Sequence, residues 1–176
     1  MKKWIPALLA GALLAVSTAQ ADKTAGDVVD DNTVNASVKA ALIENRTTKA
    51  NNINVETYKG VVQLSGFVET AAEKQEAGRV AAGVDGVKSV SNNISIGSKT
   101  SMGTKLDDSV TTGKVKTALM DADGVKAGEI NVETKGGVVQ LSGFVSSAEM
   151  KKKAGEVASS VSGVKNVQNA LVVKAN

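Results

Sequence analysis

The nonapeptide GVVQLSGFV stands twice in this chain, at residues 60–68 and again at 137–145. Aligning the copies aligns their surroundings without a gap. Leu42 falls on Leu119, Ile53 on Ile130, Gly86 on Gly163 and Val90 on Val167, always 77 residues apart. Roughly half of the paired positions between 30–96 and 107–173 are identical, so the chain is a tandem duplication. The period is longer than that of a stacked solenoid, and each copy reads as a small domain. Residues 97–106, small, polar and glycine-bearing, read as a linker, and residues 22–29 as a loose N-terminal tail.

Within a unit the periodicities predict the order α-β-β-α-β. Asp31 and Asn32 open a helix whose apolar row is Val34, Val38, Ala41 and Leu42; in the second copy Asp108 and Ser109 stand at the cap, followed by Val115, Ala118 and Leu119. Ile53 to Thr57 alternates as a half-buried strand does. Lys59 and Gly60, or Gly136 and Gly137, suit a two-residue hairpin turn that demands positive φ. The nonapeptide is then the returning strand, with Val62, Leu64, Gly66 and Val68 on one face and Val61, Gln63, Ser65 and Phe67 on the other. Thr70 and Glu73 form a capping box, ahead of a helical stripe of Ala77, Val80, Ala81 and Val84. Gly86, like Gly163, ends the helical region, and Val90, Asn92, Ile94 and Ile96 alternate as a third strand. The fold class is α+β: two tandem units, each with two helices on one face of a three-stranded mixed sheet.

The N-terminus carries its own message. Lys2 and Lys3 precede an apolar run from Ile5 to Val16, and Ala19-Gln20-Ala21 places small residues where a signal peptidase reads. Residues 1–21 read as a secretory signal cleaved between Ala21 and Asp22, because the run is short for a membrane span of roughly 20 residues. Export implies a periplasmic location, and no second hydrophobic segment offers the mature chain a membrane span. The two signal lysines account for most of the formal net charge of +3. A mature chain so near neutrality is a poor partner for nucleic acid.

Chemistry has little to stand on. The chain has neither histidine nor cysteine, which removes the commonest general base, the commonest transition-metal ligand and any disulfide. Asp30, Asp31, Asp107 and Asp108 sit at helix starts, where carboxylates complement the helix dipole. No metal, cofactor or catalytic group is expected. Mid-strand Gly66 and Gly143 read as packing devices that let the alanine-rich helix approach the sheet. A phosphate cradle would need a glycine-rich strand-to-helix loop, which is missing.

Two sets of residues are candidates for binding. Phe67 and Phe144, with Val61 and Val138, point away from the helices onto a face that a lone unit would expose. Either the repeats cover these faces for each other, which is the favoured reading, or pair with another molecule, or else the face docks lipid or unfolded polypeptide. Lys151, Lys152 and Lys153 near the last helix, with Lys114 and Lys116 on the helix before it, make copy two locally basic where copy one has Lys74-Gln75-Glu76 and Ser37. Such a patch attracts anionic headgroups at about 1 kcal/mol per basic residue, or is an ordinary solvated helix face.

The strings VKAALIENRT, INVETYKGVVQLSGFVET and AGVDGVKSVSNNI, matched by VKTALM, INVETKGGVVQLSGFVSS and SGVKNVQNALVV, resemble the BON domain family over nearly all of 30–173. The resemblance implies an αββαβ fold and a non-enzymatic periplasmic protein of osmotic and envelope stress. It also implies, as partners, anionic phospholipid or unfolded and exported envelope proteins handled in a chaperone-like way. A lipid-binding relative enters the membrane with aromatic residues beside a helix. Here the mature chain has only Tyr58, Phe67 and Phe144, none on a predicted helix, so polypeptide binding or peripheral contact is expected instead.

Overall fold

The computed structural model describes residues 30–97 and 101–175. The predicted signal, its cleavage point between Ala21 and Asp22, and the tail at 22–29 lie outside the described residues. Repeat 1 runs α1 (Asp31–Glu44), β1 (Ile53–Tyr58), β2 (Val61–Val68), α2 (Ala71–Ala82), β3 (Ser89–Asn92) and β4 (Ser95–Ile96). Repeat 2 repeats the order as α3 (Met102–Asp121), β5 (Asn131–Lys135), β6 (Val138–Ser142), β7 (Phe144–Val145), α4 (Ala148–Ser159), β8 (Asn166–Asn169) and β9 (Val172–Val173). In each repeat the nonapeptide strand is central. β2 pairs antiparallel with β1 and parallel with β3 and β4; β6 and β7 do the same with β5, β8 and β9.

The local signals work as expected in most places. Lys59 and Gly60 both have positive φ (51° and 79°), as a tight type I′ hairpin needs. At Thr70 the capping box is complete, its hydroxyl accepting from the Glu73 amide and the Glu73 carboxylate accepting from the Thr70 amide, both at 3.1 Å. The core of repeat 1 gathers Val34, Val38 and Leu42 of α1, Val62, Leu64 and Val68 of β2, and Ala77 and Ala81 of α2. That of repeat 2 is its counterpart around Val115, Leu119, Val139, Leu141, Ala154 and Ala158, with Met150 added.

Four expectations give way to tertiary structure. The stretch 97–106 is not wholly a linker: Ser101 caps α3, accepting from the Thr104 amide, and the helix occupies 102 onward. Asp108 therefore lies inside α3 rather than at its start. Its carboxylate accepts from the amides of Gly136 (2.7 Å) and Gly137 (2.9 Å), and Asp31 does the same for Lys59 and Gly60 at 2.6 and 2.8 Å. These aspartates clamp the hairpin turn to the first helix, satisfying two backbone donors that point out of the sheet; Asp30 stands at the cap without a side-chain cap bond.

Gly66 and Gly143 are also held for another reason than helix approach. Their φ values are +115° and +127°, and a Cβ would meet the carbonyl oxygen of Asn52 or Glu129 at 2.2 Å. What comes close is the chain entering the sheet, not α2 or α4. The third strand, finally, is broken at Asn93 and Ile94. Ile94 is buried in the core while Ile96 is exposed, and Asn92 reaches from the break to the Lys74 carbonyl on α2 at 2.7 Å.

Candidate interaction surfaces

In β2 both faces of the strand are buried, apart from its first residue. Val62, Leu64 and Val68 face their own helices. Gln63, Ser65 and Phe67 face the other repeat, so that the two sheets meet with the helices outermost. Gln63 is 1% exposed: its Oε1 accepts from the Gly143 amide at 2.7 Å and its Nε2 donates to the Ala170 carbonyl at 2.5 Å. Gln140 answers in kind, accepting from the Gly66 amide at 2.5 Å and donating to the Asn93 carbonyl at 2.7 Å. Between them Ser65 Oγ donates to Ser142 Oγ at 2.9 Å. Gly66 and Gly143 thus present amides that a side chain of the other repeat fills.

The aromatic candidates belong to this seam. Phe67 and Phe144 are only 5% and 8% exposed. The Tyr58 ring lies 5.6 Å from that of Phe144, tilted by 35°, with the ammonium groups of Lys59 and Lys174 each 5.6 Å from its centre. Of the two readings left open by the sequence, mutual coverage is the one realised. Neither phenylalanine offers an external docking surface in this arrangement, because the partner each would attract is already its own sister repeat.

A cleft opens at each end of the seam, and the two are counterparts. One, of about 720 Å³, is bordered by Phe67, Lys105, Glu133 and Lys135; the other, of about 490 Å³, by Tyr58, Glu56, Glu129 and Phe144. Burial pushes the carboxyls of Glu56 and Glu133 above the usual carboxylate range. Lys39 opposes the shift at Glu56; at Glu133 it is opposed by the Asn54 amide, which donates to the carboxylate at 2.8 Å, and by Lys135.

The lysine candidates do not form one patch. Lys152 and Lys153 are exposed on the first turns of α4, with Lys152 3.8 Å from Glu156, and Lys151 is half-buried. The buried row of α4 is Met150, Ala154 and Ala158, and Lys151 flanks that row. Lys114 stands near Ser162, Gly163 and Lys165, past the other end of α4. The remaining length of α4 to Ser159, about 1.5 Å per residue, and the turn after it separate the two groups. Lys116, two residues on from Lys114, points to a different side of α3. Gly86 and Gly163 have positive φ (88° and 100°) in the turns after α2 and α4.

Sequence reasoning missed the most exposed apolar ridge among the described residues. Met102, Leu106 and Val110 are 81%, 67% and 57% exposed. Spaced i, i+4, i+8, they form a single ridge along the first half of α3. The signal was present: Ser101 is a good cap and the spacing is helical, but Gly103 and the polar neighbours made the stretch resemble a linker. Lys105 is exposed beside the ridge, and Lys114 continues its line after Val110. Among the described residues no helix is long and apolar enough to cross a membrane.

The chain is similar to known proteins over most of its length. The pattern of the BON domain matches residues 30–98 and 107–175. The chain is 42% identical to the Osmotically-inducible protein Y of Escherichia coli, over 85% of this chain and 75% of that one. It is 32% identical to the Outer membrane lipoprotein DolP of Haemophilus influenzae, over 93% of this chain and 84% of that one. A 21 kDa hemolysin of Actinobacillus pleuropneumoniae shares 36% identity over 82% of this chain and 75% of its own. CdsD, a structural protein of the type III secretion system of Chlamydia trachomatis, overlaps with a TM-score of 0.34 at 16% identity, over 83% of this chain and 64% of that one. With both repeats matched, the chain belongs to the BON domain family, as a tandem pair of BON domains.

Proposed function

We propose that this protein is a non-enzymatic binding module of the bacterial periplasm, active in osmotic and envelope stress, which holds exported polypeptides in a chaperone-like way. The observation that carries the reading is the ridge of Met102, Leu106 and Val110, an apolar surface that the fold leaves uncovered. Flexible methionine and leucine side chains on one helix face suit an unfolded segment with no fixed shape. The names of the relatives, one osmotically inducible and one an outer-membrane lipoprotein, support the setting.

A second reading has its own observation: Lys105 and Lys114 flank the ridge, as a helix resting on anionic phospholipid requires. One variant set separates the two. Replacing Met102, Leu106 and Val110 with Ser should abolish suppression of aggregation of an unfolded outer-membrane protein, while the melting midpoint stays unchanged because these side chains touch little. Full suppression by that variant would sink the polypeptide reading. Retention on anionic vesicles that fades with salt and with Lys105→Gln and Lys114→Gln would favour the phospholipid reading.

A further inference from the structure

At its centre the seam between the repeats is reciprocal, although bonds at its margins, such as Asn54 to Glu133 and Ser95 to Gln168, have no counterpart among the described residues. Gln63 binds the amide of Gly143 and the carbonyl of Ala170; Gln140, its counterpart, binds the amide of Gly66 and the carbonyl of Asn93, the counterparts of those two groups. Ser65 and Ser142, equivalent residues, touch each other. Residue i contacts j′ and j contacts i′, which is the pattern of a two-fold interface between identical subunits. Here it is formed within one chain, by two strands of identical sequence. Nothing in these contacts depends on which chain supplies the second repeat.

We propose that this face is also an intermolecular docking surface whose partner is a second copy of this chain, repeat 1 of one molecule seating on repeat 2 of another. Every hydrogen bond across the seam is kept in the exchanged form, so the contact energies of the two forms match and the balance is one of concentration. Within one chain a short connection holds the repeats at an effective concentration on the order of 1 mM. The closed monomer therefore dominates in dilute solution, and exchange grows as protein concentration approaches that figure or as the seam opens transiently. Tandem repeats that share one interface are prone to this exchange.

The chain has no cysteine, which makes the test clean. Ser65→Cys and Ser142→Cys are introduced into separate full-length mature chains, one of them isotopically heavy. These are refolded together at dilute and at near-millimolar concentration, then oxidised. Exchange predicts a mixed disulfide joining heavy and light chains, rising at least ten-fold between the two concentrations. The doubly substituted chain serves as reference by closing its disulfide within one molecule. If it does so while the mixture yields no concentration-dependent mixed disulfide, the proposal is overturned. Light scattering on the unsubstituted chain gives a second reading: a mass that stays monomeric after refolding at near-millimolar concentration contradicts exchange, and a doubled mass supports it.

Discussion

At the start of its second helix repeat 1 carries Glu73 and repeat 2 carries Met150, and both side chains are buried. Glu73 closes a capping box and lies 3.4 Å from the Lys49 ammonium, which also pairs with Glu69 at 2.8 Å. Met150 instead drops into the core of its repeat, its amide capped by Ser147 at 3.1 Å. A little further along, Glu76 of repeat 1 binds Arg79 and Asn45; the equivalent positions of repeat 2 are Lys153, Glu156 and Ala122. Both helix pairs meet through apolar side chains, but repeat 1 adds an outer set of charged and polar contacts around α2 where repeat 2 has Met150 in the core and lysines turned to solvent. Meanwhile the central strands at the seam, the two copies of the nonapeptide, are identical. The difference teaches where this fold tolerates change: on the outer helices and also on the flanking strands, where Tyr58 answers to Lys135, Ser91 to Gln168 and Ser95 to Val172, but not on the central nonapeptide strand.

The sharpest way to break the comparison is at the seam, where the repeats should respond alike. Gly66→Ala and Gly143→Ala each force a Cβ to 2.2 Å from a backbone carbonyl at a positive φ. Each should cost on the order of 3 kcal/mol or more in urea unfolding. A cost below about 1 kcal/mol at either would show that the entering chain can step aside.

At Glu73 and Met150 the repeats should respond differently. Met150→Ala should cost about 2–4 kcal/mol through lost packing, largely independent of salt. Glu73→Ala should cost about 1 kcal/mol through the lost cap, and less at high salt or acid pH. Equal salt dependence of the two would erase the distinction drawn between the repeats.

The smallest effect is a pH dependence shared by the two clefts. Burial raises the pKa of Glu56 and Glu133, so their neutral forms favour the packed state. That contribution is fully present below the ordinary carboxylate value and is lost as pH rises through the raised ones. Replacing both with Gln should raise the urea midpoint at about pH 7 and leave it nearly unchanged at about pH 4. Glu73 works in the opposite sense. Burial pushes its carboxyl up, but the amides of Glu69 and Thr70 and the Lys49 ammonium outweigh that and hold it low, so its contribution is lost as pH falls.

Much of this was legible in the residues because it is local. The hairpin at Lys59 and Gly60, the box at Thr70 and Glu73, and the alternation of β2 follow from short-range rules. The apolar Phe67 on an otherwise uncovered face pointed correctly to mutual burial. What stayed hidden is held by distant partners. Asp31 and Asp108 look like caps until a hairpin 28 residues away places its amides against them. Gln63 reads as a solvent-facing strand residue until a second sheet surrounds it. The α3 ridge stayed hidden for a different reason: Gly103 lowered the helical signal although Met102, Leu106 and Val110 were correctly spaced.

The paired glutamines bear on how such a protein can change over generations. Each nonapeptide is the mould for the other, so an alteration at Gln63 damages a backbone amide in the opposite copy, and one at Gly143 strands the glutamine that reached it. A lone substitution in either copy is penalised at once, and a compensating one must arise 74 or 80 residues away. Duplication made two copies; at Gln63, Ser65, Gly66 and Phe67 and their counterparts the seam ties each copy to the other, while Val62, Leu64 and Val68 answer to the core of their own repeat.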